Sequence, residues 1–430
     1  MLGRLTQLTA PKPENTVDNS VAFDFNNPDD DDKDDSGTLW EYYTKLCYSQ
    51  TPPIPALSLM RPILSGEEQD AIFPHQHIST HLSIVLKLLT KMKVINNLDL
   101  SDNSLRPDCA QPLIDFVRED DQLSSLNISD NPLIGPKAMI TLLEGIKDST
   151  SLESLTISNT GCTKHVGSSI AHVIDGCHIL IKLDISSCDL KQSALEIAQT
   201  LPNNPKLKQL NMAKNGLYIG GRRFALQLGA NVGKCENLKK LDLSSNAITS
   251  EQVTALMKGL ANAPKLSYLN LSKNCIDETG GRPIAIFLGK TTSIKYLDLS
   301  QNQLLNVTVN KIRGQKKLEE DAKKPGGKDK KKPSVYTPGC YWIINYLAKN
   351  AGLPQKPIKI RMIGIVVDAI EWEGKLDVLR NANPNVEIEY KAPANTFFQF
   401  RRPQTGIPVA PPMSSRKSAA SARSGRTPRK

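Results

Sequence analysis

Through the middle of the chain the apolar residues fall on one recurring grid. In Leu238-Lys-Lys-Leu241-Asp-Leu243-Ser-Ser-Asn246-Ala-Ile248 apolar side chains hold positions one, four, six and eleven, and an Asn holds position nine. The same grid fits Ile95–Leu105, Leu123–Leu133, Leu152–Cys162, Leu180–Leu190, Leu207–Leu217, Leu266–Ile276 and Ile294–Leu304. Its ninth position is Asn103, Asn131, Thr160, Cys188, Asn215, Asn246, Asn274 and Asn302 in turn, at spacings of 28, 29, 28, 27, 31, 28 and 28 residues. Apolar residues at positions four and six predict a short strand with one side turned inward. The Asn that follows carries both donors and an acceptor for turn backbone that neighbouring strands do not reach. Between grids, Thr249-Ser-Glu-Gln252 has the form of a capping box, and Val253, Leu256, Met257 and Leu260 follow at helical spacing. A single unit of this kind cannot bury its apolar side. Eight stacked units make one continuous core, with parallel strands on one face and helices on the other.

The pattern L-x-x-L-x-L-x-x-N/C-x-L is the leucine-rich repeat signature. At about 28 residues per repeat the chain resembles the ribonuclease-inhibitor-like subfamily. That resemblance implies an α/β leucine-rich repeat solenoid, or horseshoe, with parallel concave strands and convex helices. It also implies an intracellular binding scaffold rather than an enzyme. A solenoid grows in one dimension, so 430 residues need no second core.

The flanks depart from the grid. Residues 1–38 are polar and acidic, with the run Asp29-Asp-Asp-Asp-Lys-Asp-Asp35, and predict a disordered tail. Residues 39–93 predict a helical N-terminal cap, with Trp40, Tyr43, Leu46 and Cys47 on one helical face and Ile84, Val85, Leu88 and Leu89 on another. Residues 94–305 hold the eight repeats, and residues 306–338 read as a basic, flexible insertion with Gly326-Gly327 and Lys330-Lys331-Lys332. Residues 339–390 read as degenerate repeats and a C-terminal cap. They comprise a helix from Tyr341 to Ala351, a strand on the grid Ile360-x-x-Ile363-x-Ile365 with Asp368 at the Asn position, a helix around Leu376 and Leu379, and a strand at Val386-Glu-Ile388. Residues 391–430 form a basic tail expected to be disordered. The segment from Tyr42-Tyr43 to Cys47, with Pro52-Pro53-Ile54-Pro55 and Leu57, resembles the region before the repeats in axonemal and testis-expressed leucine-rich-repeat proteins, a nexin-dynein regulatory complex subunit among them.

Three columns of side chains are expected along the strand face. Between the two strand leucines come Asp99, Asn127, Thr156, Asp184, Asn211, Asp242, Asn270 and Asp298. Two residues earlier come Asn97, Ser125, Ser154, Lys182, Gln209, Lys240, Tyr268 and Tyr296, and three residues later Asp102, Asp130, Asn159, Ser187, Lys214, Ser245, Lys273 and Gln301. The face thus passes from acidic and small to Lys and Tyr. Lys182, Lys214, Lys240, Asp242, Tyr268, Lys273, Tyr296 and Asp298 are the expected protein-binding residues, centred on repeats six to eight.

Charge changes the picture only once it is divided. The net charge is +10, but residues 1–38 carry −6, residues 311–333 carry +6 and residues 391–430 carry +9, leaving the repeats nearly neutral. Lys330, Lys331, Lys332, Arg401, Arg402, Arg416, Lys417, Arg423, Arg426, Arg429 and Lys430 are the expected polyanion contacts. An acidic polymer such as tubulin suits them, and phosphorylation at Ser415, Ser418, Ser421, Ser424 or Thr427 would weaken the attraction. No nucleic-acid fold accompanies them, so sequence-specific readout of nucleic acid is not expected.

Eight cysteines without a C-x-x-C pair predict reduced, buried thiols. The N-terminus lacks a signal-like apolar core and no run of 18 apolar residues occurs, so neither a signal peptide nor a membrane span is expected. His75, His77 and His81 lack a convincing fourth ligand, so no metal is expected. Gly220-Gly221-Arg222-Arg223 and Gly280-Gly281-Arg282 lack the spacing of a nucleotide loop. With no nucleophile elbow either, no catalytic residue and no cofactor are assigned. The functional expectation is a non-enzymatic scaffold in a cytoskeletal, ciliary or axonemal, microtubule-associated assembly, located in the cytoplasm. The alternative is a GTPase activator of the Ran-activating type, although that family resembles this chain in repeat length and carries an acidic rather than basic C-terminal extension. Inhibition of a basic ribonuclease fits poorly, because the Lys-rich end has the wrong sign.

Overall fold

Eleven parallel strands lie side by side in chain order, each hydrogen-bonded to the one before it. This computed structural model describes residues 38–304, 339–350, 354, 356–364 and 369–391, all in one unit that spans Met1–Pro393. The strands are β1 (Asp70–Ile72), β2 (Asn97–Asp99), β3 (Ser125–Asn127), β4 (Ser154–Thr156), β5 (Lys182–Asp184), β6 (Gln209–Asn211), β7 (Lys240–Asp242), β8 (Tyr268–Asn270), β9 (Tyr296–Asp298), β10 (Ile358–Arg361) and β11 (Val386–Glu389). The α-helices among the described residues are α1 (Leu39–Tyr48), α2 (Met60–Leu64), α3 (Leu82–Met92), α4 (Ala110–Glu119), α5 (Gly135–Ile146), α6 (Gly167–Gly176), α7 (Ala194–Thr200), α8 (Gly221–Val232), α9 (Ser250–Leu260), α10 (Gly281–Lys290), α11 (Gly339–Lys349) and α12 (Ala369–Ala382). The sheet is open, and a helix follows every strand from β2 to β10. This is the α/β leucine-rich repeat solenoid.

The register aligns the leucines. Leu98, Leu126, Leu155, Leu183, Leu210, Leu241, Leu269, Leu297 and Ile360 face one another along the sheet. All are buried, as is the next inward row from Leu100 through Ile128, Ile157, Ile185, Met212, Leu243 and Leu271 to Leu299. Each repeat therefore buries its apolar side against two neighbours.

The Asn at the end of each strand joins adjacent repeats. Oδ1 of Asn246 accepts from Asn215 N at 2.7 Å, and its Nδ2 donates to Met212 O at 2.9 Å in the preceding repeat and to Leu243 O at 3.0 Å in its own. Asn103, Asn131, Asn215, Asn274 and Asn302 likewise each accept from and donate to the preceding turn. The ladder lapses at Thr160, whose hydroxyl bonds Ile157 O in its own repeat at 2.9 Å. There the preceding turn takes another path. Gly135 N, at φ +74°, donates to Thr160 O at 3.1 Å, and one extra residue enters the turn after Pro132. In consequence Ile134, 1% exposed, fills the inward position expected of Leu133, which is 57% exposed.

Helix α9 begins as expected, with Thr249 N donating to Gln252 Oε1 at 3.2 Å. The buried Gln252 also donates to Gly221 O at 3.2 Å, tying the start of α9 to that of α8. Gly229 and Gly259 let these two helices meet backbone to backbone: a Cβ on Gly259 would overlap Gly229 C and O and Ala230 N.

The N-terminal cap holds a strand that its helical reading did not include. β1 pairs with β2, Ala71 opposite Leu98, and Gln76 stands where a repeat has its Asn. Backbone N–H groups of Gln76 and Ile78 donate to Asn103 Oδ1 at 3.0 and 3.1 Å, so the cap extends the ladder by one turn. Tyr43 and Cys47 are buried on α1, and Ile84, Val85, Leu88 and Leu89 on α3. At the other end, the ninth strand lies three residues earlier than its grid placed it. Ile360, not Ile363, pairs with Leu297, and Met362 is the next inward residue. Trp372 of α12 closes this end between Tyr341 and Tyr390, at ring-centroid distances of 5.9 and 5.2 Å. The acidic tail before Thr38, the insertion at 305–338, Ile365, Asp368 and the tail beyond Lys391 lie outside the described residues. Every polyanion-binding residue expected from the sequence is among them.

Candidate binding surface on the strand face

Backbone alternation turns the residues on either side of the central leucine away from the core. Their registers confirm the expected columns: Lys182, Gln209, Lys240, Tyr268, Tyr296 and Lys359 lie on consecutive strands, as do Asp184, Asn211, Asp242, Asn270, Asp298 and Arg361. The third column lies in the turn just after each strand. Asp102, Asp130, Asn159, Ser187, Lys214, Ser245, Lys273 and Gln301 all have φ between 51° and 57°, a left-handed bend that sends the chain from strand toward helix.

The middle column is occupied from within. Asp242 Oδ1 accepts from Ser244 N at 2.9 Å and its Oδ2 from Asn270 Nδ2 at 2.8 Å. Asp99 with Asn127, and Asp184 with Asn211, repeat this arrangement at 3.0 and 2.8 Å. Asp298 accepts from Ser300 N at 2.8 Å and pairs with Arg361 at 3.4 Å, and its side chain is only 7% exposed. Asp242 and Asp298, expected from the sequence to line a binding surface, therefore hold the sheet together. Their carboxylates face Asn or Arg on the next strand, a relation visible only once the register is known.

The outer columns are different. Lys182, Lys214, Lys240 and Lys273 are exposed and form no ion pair among the described residues. Beside them Tyr268 and Tyr296 stack with centroids 5.0 Å apart and ring planes within 1° of parallel. Burial, with the nearby Asp298 carboxylate adding to it, pushes both phenols above their ordinary range. Lys182, Gln209, Asn211, Lys240, Asp242 and Tyr268 border an open depression of about 350 Å³. Beyond the tyrosines the charges are satisfied: Lys359 pairs with Glu387 and Glu389 at 3.0 and 3.2 Å, and Arg361 with Asp298 and Glu389, each at 3.4 Å. Lys359, Arg361, Glu387 and Glu389 were missed because the grid put β10 out of register. At the acidic end His75 pairs with Asp102, and Asp130 accepts from Asn159 at 2.9 Å.

The remaining candidates have packing explanations. Among the described residues no group of three or more His, Cys, Asp or Glu is placed to hold a metal, and His81 bonds Pro55 O at 2.8 Å. Gly281 abuts the backbone of Gly339 where α10 meets α11, and Arg282 lies 5.7 Å from the Trp342 ring centroid. All eight cysteines are free and Cys275 alone is exposed. No described helix is long and apolar enough to cross a membrane.

Parts of the sequence are similar to known proteins. The leucine-rich repeat family model matches residues 234–257 and 262–285. Over 233 residues, 51% of the chain, the sequence is 27% identical to mouse (Mus musculus) Tonsoku-like protein, of which the match covers 17%. Human (Homo sapiens) protein NLRC5 is 29% identical over 26% of the chain and 6% of its own length. Pig (Sus scrofa) ribonuclease inhibitor is 28% identical over 49% of the chain and 46% of its own length. The chain thus spans less than half of each of these relatives. Among solved structures, the leucine-rich repeat-containing protein LegL7 of Legionella pneumophila is 16% identical over 75% of this chain and 89% of its own, with a TM-score of 0.41. With its helix-bearing repeats, aligned leucine column and Asn ladder, the chain is a leucine-rich repeat protein of the ribonuclease-inhibitor-like type.

Proposed function

We propose that this protein is an interaction scaffold that holds a protein partner on its strand face and serves as a structural component of a cytoskeletal, microtubule-associated assembly. The observation that carries the first part is the run of unpaired lysines beside the stacked tyrosines, which nothing in the described chain neutralises or covers. Long, planar and cationic side chains of this kind concentrate binding energy at protein interfaces. The second part rests on the basic segments at 311–333 and 391–430, which attract acidic polymers by long-range electrostatics, and on the axonemal resemblance of the segment from Tyr42 to Leu57. Tubulin tails are the acidic polymer proposed for them, in the cytoplasm or a ciliary axoneme.

Co-sedimentation with microtubules tests the cytoskeletal part. The full chain should pellet at low salt, and replacing the Lys and Arg residues of 311–333 and 391–430 by Gln should abolish pelleting. Undiminished pelleting of that variant, or none by the native chain, would remove the cytoskeletal assignment.

A further inference from the structure

We propose that the strand face across repeats four to seven receives an acidic polypeptide segment, with Lys182, Lys214, Lys240 and Lys273 as its charge-reading residues. This rests on the reading of that face as a partner surface and specifies the partner's chemistry. One lysine comes from each of four consecutive repeats, alternating between the first column (Lys182, Lys240) and the turn column (Lys214, Lys273). Strands lie about 4.8 Å apart, so lysines of the same column, two repeats apart, are about 10 Å apart along the face. Where Lys359 continues the column of Lys182 and Lys240, acidic side chains of the last strand satisfy it. Across repeats four to seven no such acidic side chain is supplied by a neighbouring strand. Asp184 and Asp242 lie on the midline, already holding Asn211 and Asn270.

Polypeptide fits this surface better than nucleic acid. The midline carboxylates repel a continuous phosphate backbone, whereas a polypeptide can place separated carboxylates over the flanking lysines and leave the midline neutral. Tyr268 and Tyr296 each cover one face of the other's ring, which leaves fewer faces for the stacking that unpaired bases use. Gln209, half-buried on the floor of the depression, has a side-chain amide without a partner among the described residues, available to donate to and accept from a peptide backbone.

The test is fluorescence anisotropy of the full chain with a labelled 15-residue poly-glutamate peptide. Changing Lys182, Lys214, Lys240 and Lys273 together to Gln should weaken binding at least about tenfold. These are exposed positions, where such substitutions ordinarily leave stability nearly unchanged. A control of equal charge, with Lys206, Lys234, Lys258 and Lys290 changed to Gln away from the strand face, should stay within about twofold. Equal losses in the two variants overturn the proposal, because the basic tail or net charge would then account for binding. A single-stranded oligo-dT showing the same selective loss as the peptide also overturns it, by assigning the lysines to nucleic acid. So does tighter binding of a peptide of residues 24–37, which would make the chain's own acidic segment the occupant. A null result here with a native partner still cross-linked to the strand face removes only the acidic assignment; cross-links confined to the helices remove the underlying reading.

Discussion

Replacing Asn246 by Ala should lower stability by about 3–5 kcal/mol, the largest single effect expected in the repeats. The side chain is buried, and its loss orphans Asn215 N and Met212 O between two repeats. Leu243 O keeps a partner, because Asn274 Nδ2 also donates to it at 3.0 Å. Each orphaned buried group costs about 1–3 kcal/mol, and the vacated volume adds to that. Thr160→Ala offers the contrast. Its hydroxyl serves only its own repeat and the neighbouring Cys162, so about 1 kcal/mol is expected. Chemical denaturation with hydrogen exchange at the Asn215 amide checks both, since adjacent repeats can open independently of distant ones. Equal costs for the two substitutions would mean that the Asn side chains do not couple the repeats.

Gly259→Ala should destabilise by about 1–3 kcal/mol, although Ala is the better helix former by about 1 kcal/mol. The new methyl would meet the backbone of Gly229 and Ala230, which cannot rotate aside as a side chain does. α8 and α9 would have to separate, drawing Gln252 from its bond with Gly221 O. Gly374→Ala should have the opposite sign. That helical glycine of α12 is exposed, with nothing within 4 Å of the added Cβ, so a gain of about 0.5–1 kcal/mol is expected. Denaturation midpoints of the two variants, read against the native chain, check the pair of signs.

The repeats were legible because one constraint wrote them eight times. A three-residue strand buried on one side needs an apolar residue at its centre and another two positions on, and the exposed turn that follows needs an amide. Where a residue met that need in an unusual way, the pattern lost it. β1 has Ala71 for Leu and Gln76 for Asn, too little apolar surface to stand out. β10 offers two overlapping series, and only its neighbour Leu297 selects Ile360 over Ile363. Leu133 and Ile134 are chemically alike, and the missing amide at Thr160 decides which of them turns inward.

The binding surface was legible by column but not by occupancy. Lys182, Lys240, Tyr268 and Tyr296 share a column that counting alone places correctly. Asp242 and Asp298 belong to an equally outward column, yet their carboxylates are consumed by Asn270, Arg361 and their own turns. Exposure is a matter of alternation within one strand. Hydrogen-bond occupancy depends on the residue one strand away, and so on the register between repeats.

Lysine-reactive cross-linking of the full chain with its partner in the native cell, followed by mass mapping, is the most direct measurement of where that partner sits. Links are expected at Lys182, Lys214, Lys240 and Lys273, on the strand side of the solenoid, where the partner is proposed to sit. Links confined to Lys206, Lys234, Lys258 and Lys290, with those four unmodified by the partner, would contradict it.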